Sequence, residues 1–61
     1  MKCRVLLKHL QRHGCKLARE GKKHTVYWNP SNGKISTVPG HAEISDRLAV
    51  KICRDLGIPA P

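Results

Sequence analysis

The stretch Gly21-Lys22-Lys23-His24-Thr25-Val26-Tyr27-Trp28 predicts a tight turn that leads directly into a β-strand. Glycine is typical of turns, whereas β-branched and aromatic residues such as those at 25–28 favour an extended strand. The strand begins with His24, a type of side chain that can give or take a proton near neutral pH. Two lysines precede it, and the only Tyr and the only Trp of the chain follow it. The stretch therefore combines a proton-transfer group, positive charge and aromatic surface within eight residues.

Segments with strand character flank this stretch on both sides. Residues 15–20 alternate, so that Cys15 and Leu17 are predicted to face a core and Lys16 to face solvent, as in a half-buried strand. The second strand is predicted over residues 24–29. The run at 29–33 ends in Asn-Gly and is a strong turn signal, and residues 34–38 form a third strand before Pro39-Gly40. Three consecutive strands with short turns predict an antiparallel meander.

An amphipathic helix is predicted on each side of the strands. The first spans residues 2–13 and ends at Gly14, where a left-handed conformation is least costly. The second begins after Ser45, a good N-cap residue, and its first turn carries Asp46, whose negative charge suits the helix dipole. Gly57 ends this helix. The apolar stripes consist of Cys3, Leu6, Leu7 and Leu10 in the first helix and of Leu48, Ala49, Ile52, Cys53 and Leu56 in the second.

The predicted order is helix, three strands, helix, which defines a small α+β fold (α-β-β-β-α). Two helices can cover one face of a three-stranded antiparallel sheet, which leaves the other face and the loops free for function. Double-stranded-RNA-binding domains have the same order of elements. We expect residues 1–61 to form a single domain, because the chain is short. A chain of this size buries only about 60% of its unfolded surface, so we expect marginal stability, to which a partner can contribute.

The charge of the chain indicates a polyanionic partner. It has 12 Lys and Arg against 4 Asp and Glu, a net charge of +8. Such an excess favours nucleic acid over a generic cationic surface, because binding to phosphates releases counterions. No apolar run approaches the ~18 residues that a membrane span needs, and no secretory segment is recognisable. We therefore expect a cytoplasmic protein with no membrane partner and no small-molecule cofactor.

The three cysteines are predicted to be reduced and buried, as small hydrophobic residues. No Cys-x-x-Cys pair occurs, and the four histidines are scattered, so no metal site is expected. His9 and His13 share one side of the first helix. They can bind phosphate or metal there, but a solvated flank is the interpretation that we favour.

Taken in order, several short motifs resemble the HicA family, the small mRNA-interferase toxins of toxin–antitoxin pairs. The resemblance covers nearly the whole chain and includes Gly21-x-x-His24 at the turn into the second strand. The other motifs are Leu6-Leu7 with Leu10, His13-Gly14, Thr37-Val38-Pro39, His41 with Glu43-Ile44, and Leu56-Gly57-Ile58.

The resemblance implies a toxin of a type II toxin–antitoxin system that cleaves mRNA and stalls translation and growth. It implies a metal-independent endoribonuclease without cofactors, and a HicB-type antitoxin that covers the active face. The family's catalytic histidine falls on His24 and its motif glycine on Gly21. General acid/base chemistry with the 2′-OH of the RNA as nucleophile would need only this one histidine. The chain departs from the family at Lys22 and Lys23, where relatives often carry Ser and His or Asn, and at Thr25, where many are aliphatic.

Lys22 and Lys23 have two interpretations. They can stabilise the charge that develops on phosphorus during cleavage, as fixed cations do in phosphoryl transfer. Alternatively, they form an ordinary charged turn. A second function also stays open, a non-catalytic RNA-binding module in which His24 has a structural role.

Five further residues are candidates for RNA contacts, each with a structural alternative. Trp28 shares the strand face of His24 and can stack a base, but packing against the core is the interpretation that we favour. The basic residues at and near the first helix can contact phosphates or form a solvated face. A histidine in the loop after Pro39-Gly40 can join the active surface or stay solvated. The candidates are Lys8, Arg12, Lys16, Trp28 and His41.

Overall fold

The computed structural model describes residues 1–61 and confirms the predicted order of elements. The elements are α1 (Cys3–Arg12), β1 (Lys16–Glu20), β2 (His24–Trp28), β3 (Ile35–Pro39) and α2 (Asp46–Leu56). The fold is α+β, with one helix before and one after a three-stranded antiparallel sheet. The observed bounds differ from the predicted bounds by at most one residue. Neither helix has the length and apolar character that crossing a lipid bilayer requires.

The strand that begins at His24 is the central strand of the sheet, whose order is β1-β2-β3. Its pairing with β3 is regular, from His24 opposite Pro39 to Trp28 opposite Ile35. Both turns are short, so consecutive strands lie side by side, which is the arrangement of a meander. The predicted meander is confirmed.

The pairing of β1 with β2 contains a β-bulge. Leu17 lies opposite Tyr27 and Arg19 opposite Val26, so one extra residue, Ala18, is inserted in β1. Side chains alternate between the two faces of a strand, and a bulge of one residue reverses that alternation. Arg19 therefore faces the side of the sheet opposite to Leu17.

The prediction that the first strand is half-buried is wrong. All five residues of β1 are exposed, and Leu17 retains 50% of its accessible surface. The reason is the position of β1 at one edge of the sheet, whereas α2 packs against β3 at the other edge. Cys15, immediately before the strand, is buried as predicted.

The core lies between the two helices and one face of the sheet, and it uses the apolar stripe of each helix as predicted. Full burial of a Leu or Ile side chain contributes about 1.5–3 kcal/mol, so these few residues provide most of the stability. Only Cys3, Leu7 and Leu48, at the margins of the stripes, are partly buried. The core consists of Leu6, Leu10, Cys15, Tyr27, Val38, Ile44, Ala49, Ile52, Cys53 and Leu56.

Ile44 joins the core although its segment was predicted only as a loop. Its side chain is 2% exposed. The amide of Ile44 donates to the carbonyl of Met1 at 2.8 Å, and the amide of Cys3 donates to the carbonyl of Ala42 at 2.9 Å. These two hydrogen bonds pair the start of α1 with the segment before α2, and they hold Ile44 against the helices.

The predicted caps of α2 are confirmed. At its start, Ser45 Oγ accepts a hydrogen bond from the amide of Leu48 at 3.2 Å. At its end, Gly57 adopts a left-handed conformation with φ of 72°. The amide of Ile58 donates to the carbonyl of Cys53 at 3.0 Å, which is the bond that defines a Schellman motif.

The turn between β2 and β3 contributes a further cap that the sequence did not indicate. Asn29 Nδ2 and Asn32 Nδ2 donate to the carbonyl of Leu56 at 2.9 and 3.1 Å. Asn29 is 4% exposed, so its hydrogen bond satisfies an amide that would otherwise be buried without a partner. The turn therefore fastens the central strand to the end of α2.

The three thiols are expected to react with iodoacetamide in the order Cys3 first, then Cys15 and Cys53 much more slowly. Cys15 and Cys53 are 3% and 0% exposed. Burial raises the pKa of both thiols, and the charge of a Cys15 thiolate raises the pKa of Cys53 further. A raised pKa lowers the thiolate fraction at a given pH, and the thiolate is the reactive form. Cys3 is only half-buried.

Peptide mass spectrometry over a labelling time course measures the three rates, with protein unfolded in guanidinium as the control in which all three thiols react alike. Equal rates in the folded protein would show that Cys15 and Cys53 are not held in the core.

Candidate active site

One face of the sheet is not covered by either helix. Along β2, Tyr27 points into the core, so the alternation of the strand turns His24, Val26 and Trp28 to the opposite side. We call this side the open face. His24 and Trp28 are exposed on it, at the two ends of the central strand.

His24 lies in a shallow depression of about 420 Å³ at one end of the open face. All three strands and the turn at residues 21–23 contribute to this depression. Its lining contains three positively charged side chains and no carboxylate. Glu20, the nearest acidic residue in sequence, lies opposite Thr25, whose strand position faces the other side of the sheet. A phosphate in this depression would therefore meet only positive or neutral groups. The lining residues are Arg19, Gly21, Lys22, Lys23, His24, Val26 and Thr37.

The backbone on both sides of His24 is held by close contacts that favour glycine. The amide of Gly21 donates to the carbonyl of His24 at 2.9 Å, and a Cβ at Gly21 would stand 2.9 Å from that oxygen. The amide of Gly40 donates to the carbonyl of Lys23 at 2.8 Å, and a Cβ there would stand 3.0 Å from that oxygen. These contacts give a physical reason for the spacing Gly21-x-x-His24: the turn closes directly onto the backbone of the histidine.

Two of the predicted RNA-contact residues, Lys16 and Trp28, lie opposite each other at the far end of the open face. The favoured interpretation of Trp28 as a core residue is wrong, because 37% of its surface is exposed. Tyr27, its neighbour along the strand, is the aromatic residue of the core and is 6% exposed. Adjacent residues of a strand point to opposite faces, so only one of the two aromatics can be buried.

The structure does not bring the remaining three candidates to His24. Lys8 and Arg12 are exposed on α1 and line a separate depression with Val5 and Pro61. His41 is exposed directly after Gly40, but it is not among the residues that line the depression around His24.

Arg19 belongs to the depression and was not predicted. Simple alternation from Lys16 puts residue 19 on the same side as Leu17, away from the open face. The bulge at Ala18 reverses this and places Arg19 opposite Val26. A bulge has no clear signal in the segment Leu17-Ala18-Arg19 itself, so the sequence could have indicated Arg19 only by its charge.

His9 and His13 lie close together on α1, with ring centroids 4.6 Å apart. His9 Nε2 is also 2.8 Å from the carbonyl oxygen of Pro59, in the segment after α2. No group of three or more His, Cys, Asp or Glu side chains comes together in a way that would hold a metal ion. The pair is best described as a polar contact between α1 and the end of the chain.

The family model described as "HicA toxin of bacterial toxin-antitoxin" matches residues 3–58. The chain belongs to the HicA toxin family. The match spans all five helices and strands and includes the turn and strand that carry His24.

As a HicA-family member, the chain belongs to a group of ribonuclease-type toxins, and such toxins are paired with an antitoxin. No curated protein and no solved structure matches this chain.

Proposed function

We propose that residues 1–61 form a single HicA-like domain that acts as a type II toxin, a metal-independent endoribonuclease that cleaves mRNA in the cytoplasm. Cleavage of mRNA would stall translation and growth until a HicB-type antitoxin neutralises the enzyme. One observation carries the proposal: an exposed histidine stands in a depression whose lining has three cations and no carboxylate.

His24 is the catalytic residue in this proposal. Its imidazole takes the proton from the 2′-OH of the RNA, and the 2′-oxygen then attacks the adjacent phosphorus. The bond from phosphorus to the 5′-oxygen breaks, and that oxygen takes a proton from the imidazolium or from water. The products are a 2′,3′-cyclic phosphate and a 5′-OH. Such proton transfer accelerates a reaction by about 10²–10⁴-fold.

Arg19, Lys22 and Lys23 provide the positive charge for this reaction. They come from β1 and from the turn before β2, and all three line the depression that contains His24. Cations that are already in place stabilise the charge that develops in the transition state without reorganisation. In this role they take the place that a metal ion has in other nucleases.

The antitoxin is proposed to cover the open face and to present an acidic patch to it. The net charge of +8 and the cations around His24 favour a partner of opposite charge, since complementary charges accelerate association and set its orientation. A partner in this position would exclude RNA from His24.

The test is incubation of the purified protein with end-labelled mRNA in the presence of EDTA. We expect shortened fragments that end in a 2′,3′-cyclic phosphate, and we expect a co-expressed HicB-type protein to suppress their formation. Fragments that appear only after Mg²⁺ or Mn²⁺ is added would contradict a metal-independent mechanism.

A second candidate function is supported by the fold. The helix–three strands–helix order is that of double-stranded-RNA-binding domains, which bind RNA without cutting it. A non-catalytic module would retard the labelled RNA on a native gel and leave its length unchanged, so the same experiment separates the two functions.

A further inference from the structure

The open face carries two parallel tracks of side chains that run along the strands. The first track is basic: Lys16 and Arg19 on β1 lead to the two lysines of the turn. The second track is largely apolar and contains Val26 and Trp28 on β2 beside β3. Because each track is continuous with the depression around His24, both belong to one surface.

The apolar track ends in an exposed patch formed by Trp28 and Ile35. These residues are direct cross-strand partners, and 37% and 64% of their surfaces are exposed. Single exposed apolar side chains are normal on a protein surface, but Ile35 also lies on an edge strand, where natural proteins usually place charges. Lys16 on β1 is the cross-strand partner of Trp28 on its other side. A cation, an indole ring and an aliphatic side chain therefore lie next to one another across the three strands.

We propose that Trp28 and Ile35 form a base-binding subsite that holds one unpaired nucleobase of the RNA by stacking, while Lys16 and Arg19 contact its phosphate backbone. The proposal rests on the ribonuclease function above and specifies its substrate as single-stranded RNA. Aromatic side chains stack on unpaired bases of any sequence, and a basic groove beside them follows the backbone. In a duplex the bases are already paired and stacked, so this subsite would stay empty.

The spacing between the subsite and His24 suits this arrangement. Trp28 follows His24 by four residues of one strand, about 13 Å at 3.3 Å per residue. A stacked strand advances about 3.4 Å per nucleotide, so the held base lies no more than about four nucleotides from the bond that is cut. A substrate must therefore extend past the cleavage site toward Trp28.

Trp28 is the only tryptophan of the chain, so its fluorescence reports directly on the stacking of a nucleobase against it. The protein used is the His24→Ala variant, which keeps RNA intact during the titration. We expect a single-stranded RNA octamer to quench the indole strongly, and a duplex of the same length or inorganic polyphosphate to quench it weakly. Equal quenching by all three would overturn the proposal, because it would show that only charge is recognised.

The affinity of the His24→Ala protein for the single-stranded octamer, measured with and without a second substitution, tests the contributions of Trp28 and Ile35. Trp28→Ala is expected to weaken binding of the octamer by about 5- to 150-fold, and Trp28→Phe to restore most of it, since phenylalanine keeps an aromatic face. Ile35→Glu should also weaken binding, and it serves as the second variant because the exposed Ile35 has little packing to lose. Val50→Glu, which introduces the same charge at an exposed apolar position of α2, is the matched control and should weaken binding much less than Ile35→Glu does.

The outcomes separate this proposal from the proposed function. If the parent cuts RNA while Trp28→Ala and Ile35→Glu bind the octamer normally, the subsite is wrong and the ribonuclease stands. If the two variants bind RNA normally but no longer bind the antitoxin, the patch is a protein interface and the subsite is again overturned. If the parent never cuts RNA yet the variants lose single-strand binding, the ribonuclease is wrong and the subsite stands.

Discussion

Replacing His24 by alanine is expected to lower the rate of RNA cleavage by about 10²-fold or more and to leave the fold intact. The loss follows from removal of the group that transfers the proton. The fold should survive because the side chain is exposed on the open face and is absent from the core. Substitutions at exposed positions usually change the free energy of unfolding by about 0.5 kcal/mol or less. The measurement is a cleavage time course in EDTA beside a thermal melt of each protein.

The chain offers matched controls for this substitution. His13→Ala and His41→Ala also remove an exposed histidine, and both positions lie outside the depression around His24. They should cut RNA at close to the parent rate. If His24→Ala is stable and still active, His24 is not the catalyst, and loss of activity in His41→Ala would then identify a different centre. If His24→Ala melts far below the parent, the histidine has a structural role.

Replacing Arg19, Lys22 and Lys23 together by alanine is expected to flatten the salt dependence of RNA binding. Each phosphate contact with a single strand contributes about 0.7 to the slope of log affinity against log salt concentration. Three lost contacts therefore reduce the slope by about 2. Raising the salt concentration from 50 to 200 mM should therefore weaken RNA binding by the parent about 20-fold more than it weakens binding by the variant. Titrations at several salt concentrations, in the His24→Ala background, measure the slope.

A second triple variant separates local contacts from overall charge. Arg47, Lys51 and Arg54 line a depression on α2, in the helical layer away from the open face, and their replacement by alanine changes the net charge equally. This variant should keep the parent slope. If both triple variants flatten the slope to the same extent, the chain binds RNA through its general positive charge and not through the depression around His24.

The secondary structure was predictable because most of its signals are local. The turn glycine before His24, the Asn-Gly turn, the Ser45 cap and the glycine end of α2 each act within a few residues of chain. The apolar stripes of the helices follow from the helical period alone, and the sheet order follows from short turns. The family resemblance identifies His24 as the candidate catalytic residue, and the positively charged Lys22 and Lys23 directly precede it in the same stretch.

The predictions that failed concern which strand residues are buried. For the pair Tyr27 and Trp28, alternation states that only one is buried, but not which one. The position of the helices decides in favour of Tyr27. For Leu17, alternation predicted a core-facing side chain, yet no helix covers the edge strand that carries it. Burial of a side chain depends on which distant segments of the chain pack against it, and the residues next to it in sequence do not specify this.

By itself the sequence determined the five elements, the burial of most cysteine side chains, the net positive charge and the motif Gly21-x-x-His24. Only the tertiary structure decided that Arg19 joins His24, because the bulge in β1 depends on how that strand pairs with β2. It also decided that Trp28 and Ile35 share an exposed patch, and that Ile44 enters the core through hydrogen bonds with the start of α1. The physical reason is common to all three: strand register and long-range packing are properties of two segments together, so neither segment alone encodes them.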